Sequence, residues 1–101
     1  MNANNPVLTF KQTMGKIEKM EAKLKSSKYK GPMQRFNHIR NLISLCNSLA
    51  VTLTQYDKNQ EAVSVLKKAA EADKSLYSSQ VYYEKLQKER VITYCLFAYL
   101  E

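Results

Sequence analysis

Apolar residues return every three or four positions through most of this chain, with polar and charged residues between them. That spacing predicts amphipathic helices rather than strands. The first helix is expected from about residue 5 to residue 24, with Phe10, Met14, Ile17 and Leu24 on one stripe and Met20 beside it. "KSSKYKGP" then interrupts the pattern with a serine pair and a glycine, and Pro32 suits the first turn of a new helix. The second segment, about 32–56, carries Phe36, Ile39, Ile43, Cys46, Ala50 and Leu53 on one face, broadened by Leu42 and Leu49. "YDKNQ" closes it. Asp57 and Gln60 stand at capping-box spacing, so this turn is expected to cap the next helix as well.

The third segment, about 59–72, turns Ala62, Val63, Leu66, Ala69 and Ala70 inward. After "DKSLYSSQ" a last helix is expected from about 79 to 101, with Tyr82, Leu86, Tyr94, Phe97 and Leu100 on its apolar face. The pattern is still apolar where the sequence stops. Such an ending is expected of a truncated chain or of a helix docked on another chain. The fold class is all-α, with about four helices.

Composition agrees, because Lys, Glu, Gln, Leu, Ala and Met are plentiful while two glycines and two prolines leave little for loops. No apolar run approaches the length of a membrane span, and nothing at the start resembles a secretory signal. A cytoplasmic protein is the expectation. Cys46 and Cys95 both lie inside apolar helical patterns without metal-ligand spacing, and are expected to be reduced core residues.

Charge changes the picture more. The formal net charge is +7, and all of the excess sits in the first forty residues, since basic and acidic residues balance beyond them. Lys11, Lys16, Lys19, Lys23, Lys25, Lys28, Lys30, Arg35 and Arg40 there face only Glu18 and Glu21. That asymmetry marks residues 11–40 as a candidate docking arm for a polyanion.

The alanines of the second and third segments have a packing reason. Two antiparallel helices joined by a tight turn approach closely only where facing residues are small. Ala50 and Ala62 remove bulk near the turn, Leu49, Leu53, Leu66 and Cys46 fill the space around them, and Ala69 lies where a following helix would pack. This segment resembles the tetratricopeptide repeat, a 34-residue helix–turn–helix unit. With Ile43 as the first position, Cys46 stands at the family's bulky residue, Leu49 and Ala50 at its Leu-Gly/Ala pair, and Leu53 at its aromatic. Ala62, Leu66 and Ala69 match its Ala-x3-large-x2-Ala series, and Asp57-Lys58-Asn59 sits at its inter-helix turn. Asp57 replaces the usual glycine, Asn59 an aromatic, and Lys74 the closing proline. Tyr94, Phe97 and Ala98 repeat the spacing of Cys46, Leu49 and Ala50, later than the family period by about four helical turns. The resemblance therefore implies one complete repeat and the start of a second with lengthened helices. The chain divides into a basic amphipathic N-terminal helix and linker, 1–31, and a TPR-like helical region, 32–101.

What the resemblance implies is a non-catalytic protein–protein interaction module. Its groove residues, carried over by position, are Ser44, Asn47, Ser48, Val51 and Thr54. They include no lysine, so the family's basic clamp for acidic C-terminal peptides is absent and an apolar or helical segment is the expected ligand. Exposure to solvent or to a neighbouring subunit accounts for these residues equally well. Repeat arrays usually need about three units. Either the N-terminal helix caps the core or a protein partner completes it. This points to a small structural or adaptor subunit of a larger assembly, for example a cytoskeletal or ciliary one. Tyr82, Tyr94, Phe97, Tyr99 and Leu100 are the candidate C-terminal interface, since tyrosine joins apolar area to a polar tip, although ordinary helix packing explains them as well.

The alternative is docking of the basic arm on a polyanion, either an acidic protein surface such as tubulin or RNA. Nucleic acid is disfavoured, because Phe10, Tyr29 and Phe36 are the only aromatics interleaved with the lysines. Catalysis is not expected. His38 is the single histidine and has no carboxylate within one turn, and the chain offers no phosphate-cradling loop, metal cluster or nucleophile motif. No catalytic residues, metal or cofactor are assigned.

Overall fold

The computed structural model describes residues 6–26, 29–75 and 84–100, and the fold is all-α. Four helices are described: α1 Pro6–Ser26, α2 Pro32–Gln55, α3 Asn59–Lys74 and α4 Gln87–Leu100. α2 is the hub. It packs against α1, α3 and α4, and α4 lies over both α2 and α3.

Local chemistry sets the ends of α2. Pro32 stands at its first turn behind Gly31, and the Gln34 side chain reaches back to accept a hydrogen bond from the Lys30 amide at 2.8 Å. At the other end Asp57 adopts a left-handed backbone conformation, φ 59°. The Lys58 amide then bonds back to the Leu53 carbonyl at 2.9 Å, and the Asp57 amide to Thr54 at 3.1 Å. These paired bonds satisfy the last carbonyls of the helix, a closure that usually uses glycine at the left-handed position. The expected capping box is therefore corrected. Lys58, not Asp57, stands at the N-cap of α3, and no side chain caps it.

Every residue expected on the apolar face of α2 is buried, and so are Phe10 and Ile17 of α1, with Met14, Met20 and Leu24 packed beside them. The inner face of α3 is a second correction. Ala62, Leu66 and Ala69 are buried as expected, but Val65, Ala72 and Asp73 join them, while Val63 and Ala70 stay partly exposed. The stripe is rotated because α1 reaches over Val65 at one end and α4 covers Asp73 at the other. The interface between α2 and α3 is apolar along Cys46, Leu49, Ala50, Leu53, Ala62 and Leu66, and none of these exposes more than a few per cent of its surface.

α4 differs most from expectation. Residues 84–85 are helical, but a turn at Leu86 separates them from α4, so the last segment is not one straight rod. Leu86 and Thr93 are its buried positions, and Leu96, Phe97 and Leu100 pack partly against the core. Tyr94, expected inside, turns out, because the core beneath this helix is polar and Thr93 takes the inward place. Tyr82 lies outside the described residues.

Candidate protein-interaction site

Two polar clusters fix α4 onto the hairpin. Asn47, buried on α2, donates from Nδ2 to the Glu89 carbonyl at 3.1 Å and accepts at Oδ1 from the Thr93 hydroxyl at 2.7 Å. Because both ends of the amide are engaged, its orientation is determined. One turn away, Arg90 grips Asp73 through Nε at 2.9 Å to Oδ2 and Nη2 at 2.8 Å to Oδ1. The side chains of this pair are only 13% and 4% exposed, so it is a dry, charge-assisted fork. Arg40 approaches Glu89 at 3.6 Å from a largely exposed position and adds little. Sequence reasoning missed Asp73, Arg90 and Thr93. Their side chains read as surface residues until the packing of α4 brings them together.

The transferred groove residues divide. Ser44, Asn47, Ser48 and Val51 line a shallow groove of about 270 Å³, closed on its far side by Lys88, Glu89 and Ile92 of α4. Thr54 does not line it, and its hydroxyl donates to the Ala50 carbonyl within α2. Asn47 holds the wall together with bonds that are already satisfied. Ser44, Ser48 and Val51 present their side chains to solvent.

On its other side α4 is apolar from Val91 onward, and no described residue covers it. Val91 is 53% exposed, Tyr94 46% and Tyr99 76%, and Cys95 and Ala98 are exposed beside them. Gln87, Val91, Tyr94, Cys95 and Ala98 line a concave surface of about 620 Å³, with the charged Glu84 and Arg90 at its N-terminal end. Positions 87, 91, 94 and 98 repeat with the four–three spacing by which one helix meets another. Phe97 and Leu100, assigned with the tyrosines to a C-terminal interface, are instead partly buried against the core.

The basic arm is not a single tract. Lys16, Lys19 and Lys23 share one exposed stripe of α1, whereas Lys11 and Lys25 flank Glu18 on another. Arg35 is turned to the Ser75 carbonyl at 3.4 Å, and Arg40 to Glu89. Lys30 is exposed, and Lys28 lies outside the described residues. Glu21 pairs with Lys68 of α3 at 3.0 Å and so helps seat α1. His38 also seats α1, through its Nε2, which lies 2.8 Å from the Met20 carbonyl.

The two cysteines separate as well. Burial, reinforced by the nearby Glu21 carboxylate and opposed by Lys68, pushes the Cys46 thiol up to about 12. It is a protonated core residue. Cys95, expected in the core, is exposed on the outer face of α4. Among the described residues no group of His, Cys, Asp and Glu has the makings of a metal site, and no helix is long and apolar enough to cross a membrane. In comparisons with known proteins, no family model, no curated protein and no solved structure matches the chain.

Proposed function

We propose that this chain is a non-catalytic, TPR-like interaction module whose outer α4 face receives a helical segment of a protein partner, as a subunit of a larger assembly would. The observation that carries the reading is the uncovered apolar run of α4. Between Val91 and Leu100 the helix has no charged residue, and Val91, Tyr94, Cys95, Ala98 and Tyr99 face outward. A helix that is apolar on both sides is ordinarily a buried one. Its inner side is held by the chain's own α2 and α3, which leaves the outer side for another molecule.

Two further observations support it. α4 lies across α2 and α3 as the opening helix of a following repeat would, and the concave strip along positions 87, 91, 94 and 98 has the spacing of a helix-packing seam. The test is selection of binders from a library of amphipathic helical peptides. Bound peptides are expected to shield Cys95 from alkylation and to lose affinity for the Val91→Glu, Tyr94→Glu variant. Peptides that leave Cys95 reactive, or that bind the variant as tightly as the parent chain, would overturn the reading.

A further inference from the structure

A second surface lies on α1, well away from the α4 face. Gln12, Lys16, Lys19, Lys23 and Ser26 are all exposed and follow one another at alternating spacings of four and three residues. They form one straight polar seam about 21 Å long on the helix surface. Neither Lys16, Lys19 nor Lys23 takes part in an ion pair among the described residues, although Lys23 rests its ammonium 5.5 Å from the centre of the Tyr29 ring. The acidic residues of α1 are elsewhere. Glu21 is turned to Lys68, and Glu18 lies on the stripe of Lys11 and Lys25.

We infer that this seam docks an acidic α-helix, one that carries carboxylates at the same four–three spacing. Charge complementarity fixes the sign of the partner, because the surplus of +7 is confined to the first forty residues. Geometry selects among polyanions. A helix lying in a lipid surface inserts its apolar side, and α1 has none to insert, because Phe10 and Ile17 are buried in the chain's own core, which leaves a membrane only the weak attraction of lysines to anionic headgroups. Single-stranded nucleic acid needs exposed rings for base stacking, yet Phe10 and Phe36 are buried and Tyr29 is packed against His38 with ring centres 5.5 Å apart. The seam also contains no arginine, the side chain that grips phosphate with two parallel bonds. Lysines on one helix facing glutamates on another, spaced along a shared axis, are the pairing used to set partner and orientation between helices.

The experiment titrates the full chain against four fluorescent probes. They are a helical peptide with glutamates at four–three spacing, a peptide of identical composition with those glutamates spread around the helix, a single-stranded oligonucleotide, and vesicles containing phosphatidylserine. The striped peptide is expected to bind tightest, and to weaken roughly tenfold between 50 and 200 mM salt. The Lys16→Gln, Lys19→Gln, Lys23→Gln variant, checked for unchanged helicity, should lose roughly tenfold or more of that affinity. A Lys11→Gln, Lys25→Gln variant, which removes the two α1 lysines outside the seam, should lose less per charge removed. Equal binding of the two peptides, tighter binding of the oligonucleotide or vesicles, or an equal loss per charge removed in the two variants would overturn the inference. The salt response of the unmodified chain is a readout independent of how any variant folds.

Discussion

The seam between α2 and α3 and the seam that holds α4 are built on different principles. The first is a run of small and aliphatic side chains, Cys46, Leu49, Ala50, Leu53, Ala62, Leu66 and Ala69, all buried. The second centres on Asn47 with Thr93 and Asp73 with Arg90, with Leu86 the one fully buried apolar residue it contributes among the described residues. Apolar burial is non-directional and tolerates small shifts. Buried hydrogen bonds tolerate almost none, because a displaced partner leaves an unsatisfied group in a dry site. The hairpin seam therefore stabilises chiefly by apolar burial. The α4 seam, built on paired polar groups, fixes the placement of α4 on the hairpin.

The sharpest way to break that contrast is to remove one member from each seam. Leu66→Ala is expected to cost about 2–5 kcal/mol, through lost burial plus a cavity. Arg90→Met is expected to cost about 3–5 kcal/mol, because Asp73 would be left charged and unpaired in the core. The two then part company on repair. Asp73→Leu with Arg90→Met should recover most of the loss, since a buried ion pair replaced by apolar residues is often neutral. Denaturant unfolding of the three variants checks this. If the double variant is no more stable than Arg90→Met alone, the pair carries stability in its own right and the contrast fails.

A pH series sharpens the hairpin side. The Cys46 thiol is raised from its usual value of 9.0 to about 12 in the folded chain. An unfolded chain loses that proton near the usual value and the folded chain does not. The stabilisation is thus full below pH 9 and is lost as pH rises through 12. By about pH 10.5 the loss amounts to roughly 2 kcal/mol. Other groups titrate in this range, so the measured quantity is the difference between the parent chain and Cys46→Ala. The gap between them should narrow steadily above pH 9, and parallel curves would show that the thiol is not in the dry seam.

A smaller effect sharpens the polar side. Asn47→Ala leaves the Thr93 hydroxyl with only the Glu89 carbonyl at 3.1 Å and should cost about 1–3 kcal/mol. Thr93→Val alone should cost less. A double-mutant cycle between them is expected to return a coupling of about 1 kcal/mol. Additive losses would mean that Asn47 and Thr93 act separately, and that neither sets the register of α4.

How far these seams were legible follows from their chemistry. The face of α2 could be read residue by residue because large aliphatics at helical spacing admit one angle. The face of α3 was read with the wrong rotation, since Ala62, Ala69, Ala70 and Ala72 are small enough to sit inside or outside, and only the positions of α1 and α4 decide. Asn47 was placed at the groove by position, and it does stand in the groove's wall, but as a buried bond between helices rather than a free contact. Asp73 and Arg90 carry no local signal, because a pairing across two helices depends on the turn at Leu86 and on how α4 lies. The division of the basic residues was within reach of helical arithmetic alone. Lys16, Lys19 and Lys23 fall on one stripe, and Lys11, Glu18 and Lys25 on another.

The smallest change returns to the turn that joins the hairpin. Asp57 holds a left-handed backbone that costs a non-glycine residue roughly 1 kcal/mol, and glycine reaches it freely. Against this, glycine has more freedom to lose on folding. The Asp57 side chain has no capping role to set against the strain, since α3 begins at Lys58 without a side-chain cap. Asp57→Gly should therefore stabilise the chain by about 0.5 kcal/mol, the difference between these opposing effects. It should leave Cys95 as accessible to alkylation as before, because the turn lies on the hairpin side and α4 is held by other contacts. A gain in stability accompanied by a change at Cys95 would mean that the two seams are coupled through α2, and that the hairpin's geometry, as well as the polar bonds, decides where α4 sits.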